Sequence, residues 1–117
     1  MTLDELYGRG TAKAFQKACG DPSMKEVSID EGVRVYVDWA DGSTMKIDCS
    51  PERVNFLSLT SNRKGLYSDL CNELPELFQR RGVTHFAASP ASEQASAVLR
   101  KRGDWKTAPR RGIRWEL

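Results

Sequence analysis

The chain has 117 residues, 39% of them apolar and 29% charged, with nine Gly, five Pro and three Cys. That suits one globular domain over residues 1–117 and excludes a second domain, a disordered chain and a disulfide scaffold. The net charge of +2 hides an asymmetry: residues 1–60 carry seven Lys/Arg against ten Asp/Glu, and residues 61–117 carry eleven against six.

In chain order, Thr2-Leu3-Asp4-Glu5 reads as a capping box, with Thr2 as N-cap and Glu5 three residues on. Leu3, Leu6, Tyr7, Ala14, Phe15 and Ala18 follow at helical spacing, with a break expected near Gly8 and Gly10 and a stop at Gly20 and Pro22. Two strands are expected next. Val33–Trp39 alternates β-branched and aromatic residues, Asp41-Gly42 turns the chain, and Ser43–Cys49 pairs back as a hairpin. Ser50-Pro51 breaks the pattern, and Val54–Thr60 forms a third strand with Phe56, Leu57 and Leu59 inside.

Beyond Thr60 the texture becomes strand–helix–strand–helix. Ser61-Asn62-Arg63-Lys64-Gly65 is a polar turn. Leu66, Leu70, Leu74, Leu77 and Phe78 then form one apolar helical face ending at Gly82, with a kink expected at Pro75. Val83–Ala88 reads as a buried strand. Ser89-Pro90 opens a further helix with Ala91, Ala95, Val98 and Leu99 as its stripe and Gly103 as its stop. Trp105–Thr107 and Ile113–Leu117 close the chain as a strand pair. The order predicts an α+β fold, a mixed and mostly antiparallel sheet flanked by helices.

No apolar run approaches the ~20 residues of a membrane span, and Met1–Glu5 does not resemble a signal peptide. Cys19, Cys49 and Cys71 are odd in number and widely spaced, as expected of reduced thiols. A cytoplasmic location without membrane contact follows as the expectation. Three scattered Cys and one His lack metal-ligand spacing, and no local signature pairs a Cys with His85 as a nucleophile. Arg100–Arg114 holds seven basic residues against Asp104 alone, either a phosphate-facing stretch or a solvated helix end.

At the junction of Val54–Thr60 with the helix after Gly65, the chain resembles the GNAT superfamily of N-acetyltransferases. That family places a Q/R-x-x-G-x-G/A turn between a strand and a helix, and its backbone N–H groups hold the pyrophosphate of acetyl-coenzyme A. The matching residues here are Asn62, Arg63, Lys64, Gly65, Leu66 and Tyr67. Asn62 stands for the usual Gln or Arg. Tyr67 stands for the second small residue, its phenol either crowding the phosphates or pointing into the core. A second match runs from Ser92 and Ala95 through Leu99, Lys101 and Gly103 to Trp105. Ser92 stands for the family's Asn and Leu99 for the Tyr that protonates the departing thiolate. The likeness covers about Val33–Leu117. The front departs, with one helix where the family begins with a strand and a helix pair.

The resemblance implies a GNAT-like fold and transfer of an acetyl group from acetyl-CoA to an amine on a small molecule or a protein. Leu57, Ser58, Leu59 and Thr60 would supply backbone N–H groups to the thioester carbonyl. Asn62, Arg63, Lys64, Gly65, Leu66, Tyr67 and Ser92 would hold the coenzyme. His85 has a suitable pKa for a general base, but its alternation with Val83 and Ala87 predicts a packed structural residue. Tyr67 and Ser68 are acids with nothing to separate them, so the catalytic residues stay unassigned. Two alternatives stand beside this reading. One is a catalytically inactive GNAT-like binding or structural protein, similar to short forms encoded by tailed phages, with a protein partner or a homo-oligomer. The other, ranked below both, is nucleic-acid binding through the basic segment with Trp105 and Trp115 as stacking platforms.

Overall fold

The computed structural model describes residues 1–88, 106–107 and 115–116. The N-terminal helical region divides into α1 (Leu3–Tyr7) and α2 (Thr11–Ala18). Thr2 accepts the Glu5 N–H at 3.2 Å, as the capping box requires. The break falls at Gly8 and Gly10, both at positive φ. Gly10 has no side chain with which to cap α2, and Asp4 does so instead: its carboxylate accepts the Ala12 N–H at 2.8 Å and the Gly10 N–H at 3.2 Å.

These N–H groups, Ala12 foremost, hold the Asp4 carboxyl below its ordinary value of 3.8. A depressed folded-state pKa contributes stability above the unfolded value and loses it as pH falls through the folded one. Asp4→Ala is therefore expected to lower stability at neutral pH, and its deficit against the native chain should shrink below about pH 4. Urea unfolding at several pH values reads this; a deficit independent of pH would contradict the capping role.

The strands follow as β1 (Ser23–Ile29), β2 (Gly32–Asp38), β3 (Thr44–Cys49) and β4 (Arg53–Thr60). After them come α3 (Leu66–Gln79), β5 (His85–Ala88), and the two-residue strands β6 (Lys106–Thr107) and β7 (Trp115–Glu116). Among the described residues one sheet runs in the order β1-β2-β3-β4-β5-β7-β6. Neighbours in β1–β4 are antiparallel, β4 and β5 are parallel, and β7 pairs antiparallel with both β5 and β6. This is an α+β fold with a mixed sheet, as expected, and the closing strand pair forms. The helix expected from Ser89 to Gly103 lies outside the described residues.

Period-two alternation decides which sheet face is covered. Val33, Val35 and Val37 of β2, Met45, Ile47 and Cys49 of β3, and Val54 of β4 are buried with Leu3, Phe15, Leu66, Leu70, Leu74 and Phe78 of the helices. The apolar face read from α3 is therefore its core face. Pro75 lies inside α3, which continues past it to Gln79.

Three expectations need correction. First, β1 was not anticipated: a strand stands between the helical region and the hairpin. As the outermost strand, β1 buries no residue fully, so Lys25, Glu26 and Ser28 mask its alternation. Second, Phe56 and Leu59 pack against the core as expected, half-buried, but Leu57 does not share their place, because β4 carries a bulge. Lys46 pairs with Ser58 and Ile47 with Phe56, so Leu57 is the extra residue. Third, β5 starts at His85 rather than Val83. The Thr84 and His85 N–H groups both donate to the Glu52 carbonyl, at 2.9 and 3.0 Å, which breaks the alternation at the strand entry.

Candidate functional site

The polar turn after β4 is held from below by the β2–β3 turn. Trp39 donates its backbone N–H to the Ser43 carbonyl at 2.9 Å, and Gly42 sits between them at φ 89°. The Asp41 carboxylate accepts the Ser43 N–H at 2.8 Å. Ser43, fully buried, in turn accepts the Asn62 N–H on its Oγ at 2.9 Å. Asn62 completes the clasp by donating Nδ2 to the Asp41 carbonyl at 2.9 Å. A Cβ at Gly42 would lie 2.7 Å from that Nδ2, so a substitution there would displace the Asn62 side chain besides straining the backbone.

Asn62, one of the residues expected to hold the coenzyme, thus has its side chain committed to this clasp. Arg63 lies over the Trp39 ring, 5.8 Å from its centroid, with Nε 3.5 Å from the Asp41 carboxylate. Both partners are well exposed, so the ion pair holds Arg63 weakly and leaves it free to turn toward another anion. The Asp41 carboxyl is held below its usual range mainly by the Ser43 N–H and hydroxyl, with Arg63 a smaller cause. Trp39 is itself anchored by its indole N–H to the Cys19 carbonyl at 2.7 Å.

Gly65 ends the turn at φ 85°, ψ −5°, a left-handed conformation, and as the N-cap of α3 it offers no side chain to the first turn. The first-turn amides of a helix have no partner within it. Beside them Arg63, Lys64 and Gly65 are exposed, whereas Leu66 is buried. The Tyr67 side chain lies outside the described residues, as do Ser92 and the rest of the second match. The basic stretch lies outside them too, except Lys106.

Upstream of the turn, β4 changes character at its bulge. The parallel pairing with β5 joins Arg53 to His85, Val54 to Phe86, Asn55 to Ala87 and Phe56 to Ala88, and among the described residues stops there. Leu57, Ser58, Leu59 and Thr60 continue past it, still paired with β3 through Ser58, Leu59 and Thr60. Residues 61–65 then join the end of β4 to the start of α3.

The structure does not bring His85 to this place. It is exposed rather than packed, sits beside Arg53 at the far end of β4, and has Nδ1 2.8 Å from the Thr84 hydroxyl. Four residues separate Arg53 from Leu57, about 13 Å of strand. The three thiols are buried. Burial pushes the Cys19 and Cys49 thiols up to about 12, which keeps them protonated and unreactive. Among the described residues no group of three or more His, Cys, Asp or Glu could hold a metal ion. None of their helices is long and apolar enough to cross a membrane.

Reading the sequence missed Trp39, Asp41 and Ser43 as parts of the site. The signal lay in the meander: pairing Thr44 with Thr60 forces Ser43 to meet the residues just after Thr60. No family model matches the chain, and no curated protein or solved structure matches it either. The class to which the chain belongs is therefore a structural one: an α+β fold with a mixed sheet, whose bulged strand β4 leads through a basic turn to α3.

Proposed function

We propose that the chain is an acyl-coenzyme A-dependent N-acyltransferase that transfers an acetyl group to an amine on a small molecule or a protein. What supports this is the bulge in β4 at Leu57 together with the turn that follows β4, where exposed Arg63 and Lys64 precede a left-handed Gly65 at the N-cap of α3. In this reading the first-turn amides after Gly65, with Arg63 and Lys64, hold the coenzyme's pyrophosphate. Backbone N–H groups of Leu57–Thr60 stabilise the oxyanion formed as the amine attacks the thioester carbon. The carbon–sulfur bond then breaks, the thiolate takes up a proton, and the amine nitrogen loses one. Bringing the two reactants together supplies much of the acceleration. The Ser43–Asn62–Asp41 clasp would keep the turn in place during this chemistry.

Gly65→Glu tests the anion site, because it sets a carboxylate where phosphate would bind. Gly65→Asn is the control, since Asn tolerates left-handed backbone without adding charge. Acetyl-CoA affinity is expected to fall at least about tenfold further in the Glu variant than in the Asn variant. Equal affinity in both would sink the turn assignment. A second reading, an inactive GNAT-like binding protein, is favoured by one observation: the sole histidine stands at the opposite end of β4 from Leu57–Thr60.

A further inference from the structure

α1, α2 and α3 cover one face of the sheet, and on the other face Lys25, Val27, Tyr36 and Thr44 are exposed. Among the described side chains Tyr36 is the aromatic one that stays exposed, at 38%. The register places Lys25 of β1 on one side of it and Lys46 of β3 on the other. Residues paired in this way share a face, with Cβ atoms about 5 Å apart. The two lysines therefore flank the ring, two strand spacings or roughly 10 Å from each other. Val27 lies diagonally beside Tyr36, and Arg34 two residues along β2. Arg34 donates to both Asp48 carboxylate oxygens, at 2.7 and 3.0 Å, so the Asp48 charge is met within the face. Asp38, two residues the other way, is the last residue of β2.

An exposed ring between two cations selects among anionic partners. An acidic peptide answers the lysines but supplies no flat ring for Tyr36. A single strand of nucleic acid supplies both parts in alternation, a base with a π face and a phosphate on either side of it. Such stacking tolerates any base, because every base has a π face. A duplex keeps its bases stacked on one another and offers Tyr36 none. Lys25 and Lys46 stand where the backbone would run before and after a base lying on the ring.

We infer that the open face of β1–β3 binds single-stranded nucleic acid, with a base on Tyr36 and the flanking phosphates on Lys25 and Lys46. The surface draws on no residue of the turn after β4 or of the basic stretch Arg100–Arg114. Fluorescence anisotropy of a labelled oligothymidine about 12 nucleotides long, titrated with the full chain, tests this, with circular dichroism confirming each variant's fold. Binding is expected at low salt and should weaken as salt rises, because counterions are released. Tyr36→Ala should weaken it about tenfold, whereas Tyr36→Phe should stay within about twofold of the native chain. Lys25→Glu with Lys46→Glu should weaken it and flatten the salt dependence. No binding at low salt would overturn the inference. Equal affinity of Tyr36→Ala and Tyr36→Phe would overturn it by reducing the contact to charge alone. Displacement by polyglutamate as readily as by unlabelled oligonucleotide would overturn it in favour of an acidic protein. A loss confined to Arg110→Glu with Arg111→Glu would overturn it by moving the contact to the basic stretch.

Discussion

Phe78→Ala is expected to destabilise the chain by about 3–5 kcal/mol, at the top of the range for truncating a buried side chain. Phe78 is fully buried on α3, one residue from the helix end. Its ring meets Tyr7 of α1 at 5.6 Å, Phe15 of α2 at 5.8 Å and Phe86 of β5 at 6.5 Å. Four elements therefore converge on one side chain. Removing it would lose the transfer free energy and leave a cavity that three rigid rings close poorly. Against a typical stability of about 5–15 kcal/mol, that is a large share. Urea unfolding reads the change, and a loss below about 1 kcal/mol would contradict the hub role.

Gly32→Ala is expected to cost about 3 kcal/mol, at the upper end for overpacking. The cause is contact, not backbone conformation. A Cβ at Gly32 would overlap the Cys49 carbonyl oxygen and lie 2.9 Å from its carbonyl carbon and 3.1 Å from Ser50 Cα. All three are backbone atoms, so no flexible side chain can yield and the start of β2 must move away from the end of β3. Gly10 makes the opposite case, with φ 88° and nothing within 4 Å of an added Cβ, so only backbone strain opposes substitution there. Denaturant unfolding with hydrogen exchange at Val33–Val35 reads the difference. Unchanged stability in Gly32→Ala would contradict the close approach.

Much of the architecture was legible because burial on one face writes itself as alternation. Val33, Val35 and Val37 against Met45, Ile47 and Cys49 marked the hairpin, and Leu66, Leu70, Leu74 and Phe78 marked α3. β1 was not legible, since an edge strand buries little and its polar residues carry no period. The bulge at Leu57 was hidden for a related reason: an extra residue changes pairing without changing residue type. Asn62 and Gly65 were visible as a turn, but the clasp that holds them depends on Asp41 and Ser43, brought near only by the β3–β4 pairing. His85 was misread because the shared bond to the Glu52 carbonyl shifts the phase of β5 at its first residue.

On the acyltransferase reading, the turn from Asn62 to Leu66 receives a coenzyme's phosphates. Isothermal titration of the full chain with acetyl-CoA is the decisive experiment. One-to-one binding in the micromolar range is expected. No heat of binding at high protein concentration, over temperatures that would reveal a silent enthalpy, would contradict it.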